Sequence, residues 1–464
     1  MEQLTLTPIS SLEPKIVEDL RSRLSGQLLL PGDLAYESSR KIWNGMIDRH
    51  PALIIKAATT DDVVLGVNLA RNHNLILAVK GGGHNVSGNA VCNDGLLIDL
   101  SLMKEIKVDG RSKTAVVQMG ATWGDFDKVA QEQGLATTGG IISTTGVAGL
   151  TLGGGVGWLV RKHGMSCDNL LEAEVVTADG RIVSASLNEN PDLFWGLRGG
   201  GGNFGVVTKM KFQLHEVGTV IGGMILHPRE NAKDMIRFYR EFMKKAPNEL
   251  TLYSVLLTSP DGHPVNALLG CYTGDLAKGE SVIKELREFG TPLADMMQPM
   301  PYTAMQSLIE AGFPAGNRYY WKSGFLQDLS DTAIDVIVDN ANKCPSPFTA
   351  TVLEMYGGVA NEEPKGGTAF LYRDNLFDLV IIGNWVDKKD DQINIAWIRN
   401  FWQEIQPHFS NKVYVNVLGV EGQDRVKEAY GSNYEKLVAL KSKFDPGNLF
   451  RMNQNIQPSS IYNN

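Results

Sequence analysis

Apolar residues recur along this chain in two rhythms. Stretches with apolar positions three and four apart predict helices over Leu12–Leu24, Asp61–Asn72, Trp123–Glu132, Ala232–Lys245, Asp331–Asn342 and Asp391–Gln406. Asp61 and Asp62 suit the first turn of their helix, where carboxylates meet unpaired N–H groups. Alternating or continuous short apolar runs predict strands. In the first half these are Leu75–Lys80, Leu96–Leu100, Thr114–Met119, Leu171–Thr177 and Val206–Phe212. In the second half they are Gly222–Leu226, Thr251–Leu257, Ala267–Tyr272, Ala350–Tyr356 and Leu379–Trp385. Strands and helices do not alternate strictly, so the expected class is α+β rather than a doubly wound parallel sheet.

Glycine punctuates only part of this pattern. The chain holds 49 glycines, with clusters at 81–83, 153–155 and 199–202, and this richness stops near His215-Glu216-Val217-Gly218. A chain of 464 residues exceeds one ordinary core, so roughly two to three units are expected. The pattern divides it into a helical N-terminal part (1–46), a glycine-rich unit (47–218), an α+β unit whose sheet is backed by helices (219–410), and a segment (411–464) that returns to the first unit.

Composition narrows the function classes. A formal charge of −8 without a Lys/Arg stripe argues against a nucleic-acid surface. The start, Met1 to Leu6, lacks the basic and apolar regions of a signal peptide, and no apolar run reaches membrane-spanning length, so neither a leader nor a membrane partner is expected. Cys92, Cys167, Cys271 and Cys344 are scattered without CxxC spacing, as reduced thiols of a cytoplasmic protein would be. The eight histidines form no HExxH or Cys/His cluster, and no metal is expected.

Three glycine-rich stretches carry candidate chemistry. Gly81-Gly82-Gly83-His84 follows a strand, so backbone N–H groups and an imidazole can approach a ligand without Cβ interference. Gly200-Gly201-Gly202-Asn203-Phe204-Gly205 matches GxGxxG, but the alternating run Val206–Phe212 follows it. A dinucleotide fingerprint needs a helix there, which excludes a Rossmann site. From Ser143 to Trp158, small and hydroxyl residues alternate with glycine around Val147, Leu150 and Leu152; this reads as a packed, donor-rich loop able to hold a pyrophosphate.

These stretches, with Arg161-Lys162-His163-Gly164, Asp168-Asn169-Leu170, Asp192-Leu193-Phe194-Trp195 and Asn453-Gln454-Asn455-Ile456, resemble the FAD-linked oxidases of the vanillyl-alcohol-oxidase superfamily. The resemblance is to the berberine-bridge-enzyme-like group, in its bacterial branch with 6-hydroxy-D-nicotine oxidase and the enterocin-biosynthesis flavoprotein, and it runs from about Ile42 to Pro458. It implies a two-part FAD-binding domain of the PCMH type, formed by the N-terminal half and the C-terminal tail, with an inserted substrate domain. It also implies FAD bound covalently through His84. Many relatives add a cysteine tether; Ile142 occupies that position here, so a single link is expected. Gly81, Gly82, Gly83, Asn85, Ser143, Thr144, Gly146 and Gly149 are the residues expected along the diphosphate and ribityl chain, with Val207 and Asn455 also at the cofactor.

Such enzymes take a hydride from a carbon bearing oxygen or nitrogen, while the protein positions the substrate and moves a proton. Glu354, a lone acid in an apolar strand, is the first choice of base, and burial would raise its pKa toward the working range. Its structural alternative is a buried carboxylate satisfied by a hydroxyl or Arg373. Tyr414, in the strand-like Val413-Tyr414-Val415-Asn416, and Tyr320 are further catalytic candidates. Tyr253 and Lys322 are candidate substrate contacts, Tyr320 and Lys322 sharing one face of a strand. The expected reaction oxidises a small secondary metabolite and passes electrons to O2, giving H2O2. A carbohydrate oxidase, a dehydrogenase with another acceptor, and a catalytically silent flavin carrier are the alternatives. The oligomeric state is left open.

Overall fold

A computed structural model of the protein describes residues 12–374 and 377–459. Residues 1–11, which include the start read for a leader, lie outside the described residues. Among the described residues the strands form a four-stranded, a five-stranded, a two-stranded and an eight-stranded sheet.

The four-stranded sheet runs Gln27–Leu29, Leu53–Lys56, Leu96–Asp99, Leu77–Lys80, with its last three strands parallel. Parallel strands are covered on both faces and are therefore continuously apolar. Ile55 and Ile98 pack with Val63 and Val67 of the helix Thr60–Asn72, while Ile54, Ala78 and Leu97 pack with Tyr36 on the other face. That helix starts with a capping box between Thr59 and Asp62, and Asp62 also accepts from the N–H groups of Ser25, Gly26 and Ala58. The helix Trp123–Gln131 opens on the same device, Thr122 with Asp125.

The five-stranded sheet is antiparallel, ordered Ile106–Asp109, Thr114–Gln118, Val206–Gln213, Leu170–Val176, Ile182–Ser186. Val206–Gln213 is thus a strand directly after the Gly200–Gly205 motif, as the β-branched run requires. The donor-rich stretch is not all loop: Val147–Leu152 is a short helix.

The eight-stranded sheet is antiparallel. Its central order is Thr219–Pro228, Pro264–Tyr272, Leu250–Thr258, Ala350–Met355, Phe377–Trp385, Arg318–Phe325. Period-two alternation splits it into two faces. Leu252, Leu268, Leu353 and Ile381 pack against the helices Ala232–Met243, Asp331–Ala341 and Asp391–Ile405. Tyr253, Val255, Leu269 and Val352 face the other way, toward the glycine-rich loops.

The chain end packs with the N-terminal sheets: Tyr414, Leu437, Phe450 and Ile456 share one apolar cluster with Leu193, Phe204 and Val206. Tyr414 does not lie in a strand, however. Val415–Val417 is a 3₁₀ turn, because the Tyr414 hydroxyl and the Asn416 amide are both drawn onto the loop at 150–155 rather than onto a neighbouring strand.

Candidate active site

A cavity of about 1250 Å³ lies between the glycine-rich loops and the helix-free face of the large sheet. Drug-sized pockets span ~300–1,000 Å³, so this one has room for a dinucleotide and a second molecule. The Gly81–Gly83 turn and the Ser143–Trp158 stretch meet at its wall. A Cβ on Gly82 would stand 2.3 Å from the Gly146 nitrogen, so these two glycines let one loop touch the other. Gly83 turns the chain at φ +69° and presents His84 to the cavity. The strand behind this turn is anchored by a buried ion pair, Lys80 with Asp99 at 3.0 Å.

His84 stacks on Trp43 with ring centroids 5.0 Å apart. Its Nε2 shares a 2.8 Å hydrogen bond with the Thr144 hydroxyl, and its Nδ1 lies 3.4 Å from that of Thr145. Burial holds its pKa down to about 4, so the ring is neutral near pH 7. A neutral imidazole keeps a nitrogen lone pair for bond formation.

Across the cavity, strand register sets Tyr253, Glu354 and Asp378 side by side in one row. Tyr253 is the cross-strand neighbour of Glu354, and its hydroxyl favours the charged form of that carboxyl. The Tyr356 hydroxyl donates to Asp378 Oδ2 at 2.8 Å, while Asp378 Oδ1 has no partner. Burial first and the neighbouring Asp378 second push the Glu354 carboxyl well above the usual carboxylate range, and burial likewise raises Asp378. Two carboxyls so placed share a proton more readily than they both ionise. Asp378 was not among the sequence candidates; its only signal there is an acid at the start of the apolar run Phe377–Trp385.

Tyr414 also lines the cavity. Its hydroxyl oxygen accepts from the Gly155 N–H and the Asn416 amide, each at 2.7 Å, which leaves its own O–H free to donate. The C-terminal tail reaches the cavity through Met452, Asn453 and Gln454. It is held there by Lys441, whose buried ammonium donates to Asp445 at 2.6 Å, Asn203 O at 2.8 Å and Phe450 O at 2.9 Å. Asn203, from the GxGxxG-like loop, bonds the tail at Gln454 O and Ile456 N.

Of the other sequence candidates, Gly81, Asn85, Gly149 and Val207 line the cavity with Gly82, Gly83, His84 and Gly146. Several expectations are corrected. Tyr320 and Lys322 do share a face, but it is the helix side: Tyr320 meets Arg399, and Lys322 pairs with Glu421 at 2.6 Å. Alternation sends their neighbour Trp321 to the cavity instead. Ser143 donates to Glu310 and faces a separate cleft beside Gln306. Thr144 reaches His84 rather than the cavity wall. Asn455 stands behind the three tail residues that line it, its Oδ1 buried and unpartnered. Arg373 pairs with Asp168 at 2.7 Å and does not satisfy Glu354.

The residues present fit FAD. A Cβ on Gly149 or Gly202, both at the cavity wall, would meet nothing within 4 Å, so the backbone there lies open to a ligand. The buried Asn453 Oδ1 in the same wall lacks a partner.

Comparison with known proteins agrees. A family model described as an FAD binding domain matches residues 51–186, and one described as berberine and berberine like matches 413–457. An FAD-linked oxidoreductase of Dictyostelium discoideum is 33% identical over 449 residues, covering 96% of this chain and 97% of that protein. The (R)-6-hydroxynicotine oxidase of Paenarthrobacter nicotinovorans is 29% identical, covering 94% and 97%. The crystal structure of 6-hydroxy-D-nicotine oxidase from Arthrobacter nicotinovorans superposes with a TM-score of 0.86 at 27% identity, covering 94% of this chain and 98% of that one. Fold and site therefore define an FAD-linked oxidoreductase with a PCMH-type FAD-binding domain. The chain belongs to the berberine-bridge-enzyme-like family.

Proposed function

We propose that the protein is an oxidase that binds FAD through one covalent link at His84 and oxidises a C–O or C–N bond of a small secondary metabolite, with O2 as acceptor and H2O2 as product. The observation that carries this reading is a neutral, half-buried His84 in the same cavity as the Tyr253–Glu354–Asp378 row. In it, residues 47–218 and 411–464 form the FAD-binding domain, 1–46 is its N-terminal part, and 219–410 forms the substrate domain, in a cytoplasmic protein whose four cysteines are free. Bound FAD supplies the two-electron acceptor. Gly81–Gly83, Gly149, Gly202 and Asn453 hold it by backbone and amide contacts. Ile142 lines the cavity on the loop before Thr145, and no thiol is available there for a second link. Glu354 takes the proton from the hydroxyl or amine being oxidised, with Tyr253 fixing its orientation and Asp378 keeping it basic. Tyr414 offers its O–H to a substrate heteroatom.

The test is acid precipitation of the purified holoprotein, followed by flavin fluorescence of the washed pellet. Flavin retained by the wild type and released from His84→Ala supports the tether. Flavin released from the wild type refutes it. Bleaching of the flavin by a substrate, with H2O2 on re-aeration, distinguishes an oxidase from a silent carrier.

A further inference from the structure

Resting on that reading, we infer that the substrate is a largely apolar molecule of one or two rings, or an alkyl body of similar size, carrying a single amine or hydroxyl, and that it is not a carbohydrate. The alternation that buries one face of the large sheet under helices turns Val255, Leu257, Leu269, Val352, Val380 and Ile382 into the cavity. Its rim is apolar as well. Met296, Leu308 and Phe348 are 42%, 36% and 51% exposed, and all three line this cavity. Large apolar side chains left in water at one mouth mark a ligand entrance.

Polar side chains on the substrate side are few, and two of them are engaged elsewhere, which leaves the buried Trp321 Nε1 and the Tyr414 O–H as free donors beside Glu354. The Thr349 hydroxyl bonds the Asn384 backbone at both N–H and C=O, and the Ser259 hydroxyl does the same with His263. Among the described residues, Glu354 is the one Asp, Glu, Lys or Arg that lines the cavity. A sugar would bring a hydroxyl on nearly every carbon into this space, and most would lose water without gaining a partner. A ligand with one donor group loses nothing by that exchange and places its donor at Glu354 and Tyr253. In the step that follows, the C–H bond breaks and its electron pair passes as hydride to bound FAD. The N–H or O–H proton passes to the Glu354 carboxylate, and a C=N or C=O bond forms.

The experiment uses the holoprotein under anaerobic conditions with four probes: 4-phenylpiperidine, cinnamyl alcohol, glucose and cellobiose. Perturbation of the flavin spectrum reads binding, and bleaching reads reduction. The expected result is half-saturation by an apolar probe at a concentration at least about tenfold below either sugar, with Phe348→Ser weakening the apolar probe severalfold and leaving sugar binding unchanged. Tighter binding or faster bleaching by a sugar overturns the substrate class while leaving the oxidase reading intact. Binding of an apolar probe without bleaching supports the class and counts against that compound as a hydride donor. A spectrum that none of the four perturbs overturns the inference.

Discussion

Replacing Asp378 by Asn tests the paired carboxyls without needing to know the substrate. Glu354 and Asp378 are directly opposed on neighbouring strands, a placement that sets Cβ atoms ~4.5–5.5 Å apart. At ~5 Å and an effective dielectric of ~20, two ionised carboxyls repel by about 3 kcal/mol, which corresponds to roughly 2 pKa units. Both carboxyls are raised in the folded protein. A raised acid binds its proton more tightly folded than unfolded, so its stability contribution is complete below the unfolded value near 4 and is lost as pH rises through the folded value. Asp378→Asn removes the repulsion, while its carboxamide oxygen can still accept from Tyr356. The wild-type holoprotein is therefore expected to lose stability relative to the variant as pH rises from about 4 through about 7 and beyond, by about 2–3 kcal/mol in all. Below about pH 4 the difference should stop changing. Thermal midpoints across that range provide the assay. With any substrate that bleaches the flavin, the acidic limb of kcat/KM should also move down by about 1–2 pH units in the variant. A stability difference that does not vary with pH would refute the coupling.

Two further substitutions probe the frame and the corrected assignments. Lys441→Met leaves Asp445 buried without its cation, with both side chains inaccessible to solvent; a loss of about 3–5 kcal/mol in denaturant unfolding is expected. Lys441→Met combined with Asp445→Asn should lose less than the single change, and an additive double variant would argue that the two do not act as a pair. Tyr320→Phe removes only a 3.3 Å bond to Arg399 on the helix side. Its stability should lie within about 0.5 kcal/mol of wild type and flavin bleaching should be unchanged, whereas a large fall in bleaching rate would restore Tyr320 to the active site.

Much of this protein is written in local pattern. The strand Thr251–Leu257 is expected from alternation alone and is found at Leu250–Thr258; the helix Asp61–Asn72 is expected from its spacing and acidic first turn and is found at Thr60–Asn72. The glycine turn before His84 and the strand after Gly205 are equally local, because steric freedom and side-chain period act over a few residues. Short strands such as Gln27–Leu29 and Ile182–Ser186 escape notice because so few residues carry too little period to separate them from loop. Period also says which residues share a face, not which face it is. Tyr320 and Lys322 were rightly paired, but only the packing of the helix Asp391–Ile405 decides that they point away from the cavity. The partnership of Glu354 with Asp378 depends on the register between two strands, and that of Lys441 with Asn203 on the docking of the tail. Registers and docking are set by burial of whole faces, a non-local sum that no single stretch of sequence contains. The chain by itself determined its elements, its cofactor loops and its solitary acid; tertiary structure decided that the acid has a second carboxyl beside it and an apolar wall around it.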